Sequence, residues 1–178
     1  IFKAFIRMFL IVQMPDSKGT TLAMATILFS LPYIFLTPFA GYLADRFSKK
    51  TITVILKYTE FVIMLLSCVA FLIGSKFMLF FLLFTMSAQS ALFSPTKYGI
   101  LPELVKEENL TRANGLLVMM SFVAIILGTA AAPGLAVVTN NLFSNPCWAY
   151  GLSTVVCVLI AGVGIFTSHQ VWNTRAAN

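Results

Sequence analysis

Several ionisable side chains stand inside long apolar stretches of the sequence, where a charge is costly and therefore indicates function. Lys3 and Arg7 are four residues apart, so a helix would place both on one face. Lys97 follows residues 77–96, which carry no charge. These cations are expected to face the protein interior or a water-filled cavity. There are two alternatives. Lys3 and Arg7 could lie in an amphipathic stretch on the cytoplasmic side, and the Lys97 side chain could extend to the membrane surface.

Lys57 and Glu60 form a second candidate pair, with the spacing i and i+3 of helical neighbours. An ion pair within one helix would lower the cost of inserting both charges into a membrane. The same pair could instead take part in ion coupling or in closing the cytoplasmic side. Both interpretations are kept as predictions.

The residues that usually hold metals or perform acyl transfer are too few for either task. His169 is the only histidine of the chain, and Thr174 stands where an acyltransferase His-x4-Asp pair would need aspartate. The three cysteines are scattered and predict no disulfide framework. We expect no metal, no cofactor and no catalytic residue in this chain.

The elements that position these side chains are predicted to be membrane-spanning helices. The chain has 178 residues, 59% hydrophobic and 10% charged, whereas about 25% of residues are charged in soluble proteins. Residues 1–14 are too few to cross a bilayer and predict the end of a truncated first helix. An all-α integral membrane fold follows, with spans near residues 1–14 (partial), 22–41, 52–74, 77–98, 115–138 and 148–168.

Basic residues collect on one side of this arrangement. The connections after the second, fourth and sixth spans hold Arg46, Lys49, Lys50, Lys106, Arg112 and Arg175, and the other connections hold Lys18 and Lys76. The first group is therefore predicted to be cytoplasmic. Positive loops facing an anionic leaflet account for the net charge of +6 without a nucleic-acid partner.

The connection between the second and third spans carries a motif. Residues 41–50 read GYLADRFSKK, which resembles the signature Gly-x-Leu-Ala-Asp-Arg-x-Gly-Arg/Lys-Arg/Lys of the major facilitator superfamily, with Ser48 in place of glycine. The resemblance implies that the chain is the N-terminal six-helix half of a twelve-helix transporter. It also implies a gating role, in the outward-open state, for Gly41, Asp45, Arg46, Lys49 and Lys50. The absence of a side chain at Gly41 is expected to let two helices approach closely.

A second motif narrows the resemblance. Residues 94–104, SPTKYGILPEL, and the later ANGL of residues 113–116 resemble the junction of helices four and five in the lysophospholipid transporter family. Residues 1–6 resemble the end of that family's first-helix motif, Asn-Asp-Asn-x-Phe-Lys. Some members are fused to 2-acylglycerophosphoethanolamine acyltransferase and acyl-carrier-protein ligase domains, which would lie outside this chain.

Together these resemblances imply a bacterial inner-membrane transporter for lysophospholipids such as lysophosphatidylethanolamine. The head-group phosphate would bind Lys3, Arg7 or Lys97 near the midplane, and the acyl chain would lie along apolar walls. Its partners would be the bilayer and a C-terminal half. Residues 1–168 would form the bundle and residues 169–178 a cytoplasmic tail or a linker. A facilitator for a soluble metabolite or drug, and the membrane module of a fused acyltransferase, are the alternatives.

Overall fold

The computed structural model describes residues 2–13, 18–143 and 145–170. These residues form seven helices and contain no strand. The helices are α1 (Phe2–Gln13), α2 (Lys18–Arg46), α3 (Lys49–Ile73), α4 (Lys76–Gly99), α5 (Leu101–Leu104), α6 (Glu107–Leu142) and α7 (Pro146–His169).

Five of these helices, α2, α3, α4, α6 and α7, are long and apolar enough to cross a membrane, and they contain the five full spans that the sequence predicts. Most of them extend past the predicted span limits, since hydropathy marks the apolar part of a helix and not its polar ends. The sequence did not predict α5, a single turn in the connection between the fourth and fifth spans. The tail at residues 171–178 lies outside the described residues.

Local signals define several helix ends. The Ser48 side chain accepts a hydrogen bond from the Thr51 amide and begins α3. Gly74 ends the same helix at φ 71°, a left-handed conformation that glycine adopts readily. At the start of α7, Asn145 caps the Cys147 amide and Pro146 occupies the first turn. The Gly74 turn keeps the connection between α3 and α4 short, so these two helices pack as antiparallel neighbours.

The first helix lies in the centre of the bundle. Phe5 and Phe9 of α1 are fully buried. The Phe9 ring centroid lies 5.2 Å from that of Phe71 on α3 and 5.4 Å from that of Tyr150 on α7, with edge-to-face geometry in both pairs. This aromatic cluster fixes α1 against α3 and α7, and it thereby fixes the position of the cations that α1 carries.

Polar side chains add hydrogen bonds between neighbouring helices. Ser87 of α4 donates to the Phe29 carbonyl of α2. Gln89 Nε2 of α4 donates to the Leu56 carbonyl of α3 at 3.2 Å. In an apolar environment each bond satisfies a polar group that would otherwise be unpaired. They hold α4 between α2 and α3, beside the cavities described below.

Candidate transport cavity

Three adjoining cavities run along the inner wall of the bundle. The outer cavity, about 810 Å³, is lined by Lys3, Arg7 and Thr129 among others. The middle cavity, about 280 Å³, shares Lys3 with the outer one. The inner cavity, about 570 Å³, shares Glu60 with the middle one and is also lined by Lys97. The outer and inner cavities also have Ala124 and Ile125 in common, so the three cavities adjoin one another.

Lys3 and Arg7 both line the outer cavity, as their spacing on one helix face predicts. Lys3 Nζ lies 3.5 Å from the centroid of the Phe29 ring, a cation–π contact. Arg7 Nη2 donates to Thr26 Oγ1 at 3.0 Å, while the buried Arg7 Nε has no hydrogen-bond partner within the described ranges. Neither cation is paired with a carboxylate of the described residues. Both retain donors for an anionic ligand.

Lys57 and Glu60 form the ion pair that their spacing allows, with Lys57 Nζ 2.7 Å from Glu60 Oε2. Their side chains are only 23% and 20% exposed. The Lys57 ammonium also lies 5.0 Å from the Phe93 ring centroid. The pair stands on the cavity wall, where both residues line the inner cavity and Glu60 also lines the middle one.

Lys97 points towards α6 and lines the inner cavity. Its ammonium donates to Ser121 Oγ, and Ser121 in turn donates to the Leu117 carbonyl at 2.6 Å. Its other close neighbour is the Tyr98 ring, 5.7 Å away. In the part of the chain that the structure describes, Lys97 has no carboxylate partner. Like Lys3, it is a cation without a carboxylate partner among the described residues, so its charge is available to an anionic group.

A separate set of contacts lies at the end of the bundle that carries Arg46, Lys49 and Lys106. Lys49, at the start of α3, forms an ion pair with Glu103 of α5. Arg46 Nη1 donates to the Tyr42 hydroxyl at 2.7 Å. Lys50 lies in the first turn of α3, and the side chain of Asp45 lies outside the described residues. We call the Lys49–Glu103 contact the latch.

Two glycines near the latch differ in their surroundings. A Cβ built on Gly99 would lie 3.2 Å from Lys49 Cε, so glycine lets the lysine side chain pass. A Cβ built on Gly41 meets no atom of the described residues within 4 Å. The close helix approach expected at Gly41 is therefore not found within these residues. The tightest contact at a glycine of the described residues lies at Gly151 of α7, where a Cβ would lie 2.9 Å from Leu72 Cδ2 of α3. The motif-based gating role of Gly41 stays a prediction.

Sequence reasoning missed several residues of the site. Ser90 of α4 lines the middle and inner cavities, and Ser121 holds Lys97. Both are polar residues within apolar helices, which is the signal that would have indicated them. Glu103 belongs to the motif of residues 94–104, and the signal for its role is an acidic residue in a connection on the same predicted side as the basic loop.

The side chains of this site could bind a ligand electrostatically. Lys3, Arg7 and Lys97 are cations without carboxylate partners among the described residues, and apolar side chains such as Leu83 and Ile160 complete the middle cavity. In the same ranges no group of three His, Cys, Asp or Glu side chains is placed to hold a metal ion. The arrangement suits a ligand that combines an anionic group with an apolar portion.

Comparisons with known proteins give the site a family context. Residues 2–174 match the family model described as Major Facilitator Superfamily. The chain is 34% identical over 164 residues to a lysophospholipid transporter of Serratia proteamaculans, with 92% of this chain and 36% of that protein covered. It is 32% identical over 145 residues to one of Photorhabdus laumondii, with 82% and 32% covered. The chain thus aligns to about a third of the length of these curated relatives.

Five apolar spans and bacterial relatives of this kind identify a multi-pass protein of the bacterial inner membrane, as the sequence predicts. The all-α membrane architecture is likewise confirmed.

Proposed function

Because the chain belongs to the major facilitator superfamily, we propose that it supplies the N-terminal half of a transporter that moves lysophospholipids, such as lysophosphatidylethanolamine, across the inner membrane. The observation that carries this proposal is the placement of Lys3 and Lys97. Both line adjoining cavities without a carboxylate partner among the described residues. The names of the relatives supply the substrate class.

The proposed ligand geometry follows from these cations. A phosphate in the cavities would bind Lys3, Arg7 or Lys97, and charge-assisted hydrogen bonds of this kind are about twice as strong as neutral ones. Phe29, Met64 and Leu83 of the middle cavity offer apolar surface to the acyl chain. No covalent step is needed, because the substrate crosses the membrane unchanged.

The transport cycle would be alternating access between two six-helix halves. The C-terminal half would close the open side of the cavities. The Asp45–Arg46 segment would hold the cytoplasmic side closed in the outward-open state, as the motif implies, and the latch would position this segment. Lys57 and Glu60, which line the inner cavity, are proposed to serve ion coupling or gating.

The test is uptake of radiolabelled lysophosphatidylethanolamine by the complete transporter in proteoliposomes. Lys3→Ala and Lys97→Ala should each lower uptake about tenfold, the loss of one hydrogen bond to a charged group. Lys106→Ala, at an exposed position outside the cavities, is the matched control and should transport normally. Unchanged uptake in both cavity variants would overturn the phosphate contacts.

Two further outcomes separate the alternatives. If the protein transports a soluble compound and lysophospholipids do not compete with it, the result would favour a facilitator for metabolites or drugs. Acyltransferase and ligase domains fused to the transporter would acylate the imported lipid. Purified full-length protein that forms phospholipid from a lysophospholipid and a fatty acid, when ATP and acyl carrier protein are supplied, would demonstrate them. Transport without any acylation would favour a transporter that acts alone.

A further inference from the structure

Glu60 is the one carboxylate among the described residues that line the outer, middle and inner cavities. It stands where the middle and inner cavities meet, and it therefore contacts the space beside Lys3 as well as the space beside Lys97. A carboxylate in otherwise cationic cavities needs an explanation beyond phosphate binding, because it repels a phosphate.

The ion pair with Lys57 uses only part of the hydrogen-bonding capacity of the Glu60 carboxylate. Glu60 Oε2 accepts from Lys57 at 2.7 Å, whereas Oε1 accepts no hydrogen bond from any residue that the structure describes. An ionised carboxylate has about four lone-pair positions. Glu60 can therefore keep Lys57 and still accept from a ligand that lies in the cavity.

The walls around Glu60 also suit a positively charged group. The rings of Tyr33, Phe93 and Tyr98 line the inner cavity together with Glu60. Phe93 already lies beside one ammonium, that of Lys57, and aromatic faces attract such groups. Lys97 lines the same cavity, and its ammonium can bind an anion. One cavity thus offers partners for both charges of a zwitterion.

We propose that Glu60 binds the ammonium of a phosphoethanolamine head group through Oε1, while Lys97 binds its phosphate. Glu60 is then the residue that selects lysophospholipids with a cationic head-group amine over those with an uncharged head group. This inference rests on the proposed function, and it adds a specificity residue to it.

The experiment compares two substrates in the complete transporter, reconstituted in proteoliposomes. Radiolabelled lysophosphatidylethanolamine carries the amine, and lysophosphatidylglycerol has a glycerol in its place. In Glu60→Gln, we expect kcat/KM for the first substrate to fall at least about tenfold relative to the second. The readout is the ratio of the two values, so lower expression or weaker folding does not move it.

Lys57→Gln separates recognition from structure. It breaks the same ion pair but keeps the carboxylate, so the substrate ratio should stay at the wild-type value. The double variant Lys57→Gln/Glu60→Gln removes both charges and should show the ratio of Glu60→Gln. Glu108→Gln, an exposed residue in the first turn of α6, controls for loss of a carboxylate elsewhere.

The outcomes distinguish the two proposals. If the wild-type protein imports neither lysophospholipid, the proposed function fails. If it imports them and Glu60→Gln leaves the ratio unchanged, the function stands and the role of Glu60 is overturned. A ratio that changes equally in Lys57→Gln and Glu60→Gln also overturns it, because the ion pair alone would then be responsible.

Discussion

Lys49 and Glu103, 54 residues apart in sequence, form an ion pair that joins the start of α3 to α5. The pair lies at the end of the bundle with the basic connection of the superfamily motif. Its side chains are 13% and 26% exposed. It therefore ties the motif segment to the connection between the fourth and fifth spans, and this contact lies entirely within one half of the proposed transporter.

Breaking this latch should favour the inward-open state, because the ion pair positions the motif segment that is proposed to hold the two halves together on the cytoplasmic side. In Glu103→Gln the motif segment loses one electrostatic contact, and partly exposed pairs contribute between about 0.2 and 1 kcal/mol. We expect a 1.5- to 5-fold faster labelling, from the cytoplasmic side, of a cysteine introduced at Ala124 in the inner cavity, since about 1.4 kcal/mol corresponds to tenfold.

The latch has its own controls. Lys49→Gln should have the same effect, and the double variant should add little to either single change because the two residues form one interaction. Additive effects of the two substitutions would contradict the latch. The introduced cysteine requires a background in which Cys68, Cys147 and Cys157 are replaced.

The two glycines near the latch should respond differently to the same substitution. At Gly99 even a Cβ would lie 3.2 Å from Lys49 Cε, so the larger valine side chain should displace the lysine from Glu103. Valine at Gly41 meets open space within the described residues. We expect Gly99→Val to reproduce the labelling change of Glu103→Gln and Gly41→Val to label as the wild type does. A larger effect at Gly41 would reveal a helix that approaches it from outside these residues.

The aromatic cluster around α1 should dominate the stability of this half. Phe9 is fully buried against Phe71 and Tyr150. Phe9→Ala should lower the free energy of unfolding by about 3 to 5 kcal/mol, through lost burial and the cavity that is left. Thermal unfolding of the purified protein in detergent measures the effect. The control is Val12→Ala, on the same helix, where the valine is 53% exposed. This variant should unfold within a few degrees of the wild type. An equal loss of stability in both variants would refute the central position of α1.

Hydropathy was sufficient to locate the five full spans, because a charge inside a bilayer is costly wherever it occurs along the chain. Local spacing was likewise sufficient for the Lys57–Glu60 pair, since i and i+3 are neighbours on any helix. These features depend on residues that are close in sequence.

Features that depend on packing could not be read in this way. The partner of Lys49 lies in a different connection, and nothing in the spacing of the chain brings Glu103 to it. The contact of Lys97 with Ser121 depends on how α4 and α6 pack. For Gly41, the motif indicated a close approach, but the neighbour of a small residue is set by the helix opposite.

The burial of α1 also determines which parts of the bundle move together. Phe5 and Phe9 are locked between α3 and α7, and Lys3 and Arg7 are carried by the same short helix. A displacement of α1 on its own would break the aromatic cluster, so in the proposed transport cycle we expect this helix, α3 and α7 to move together. A head group held by Lys3 would then change the leaflet it faces without changing its depth in the membrane.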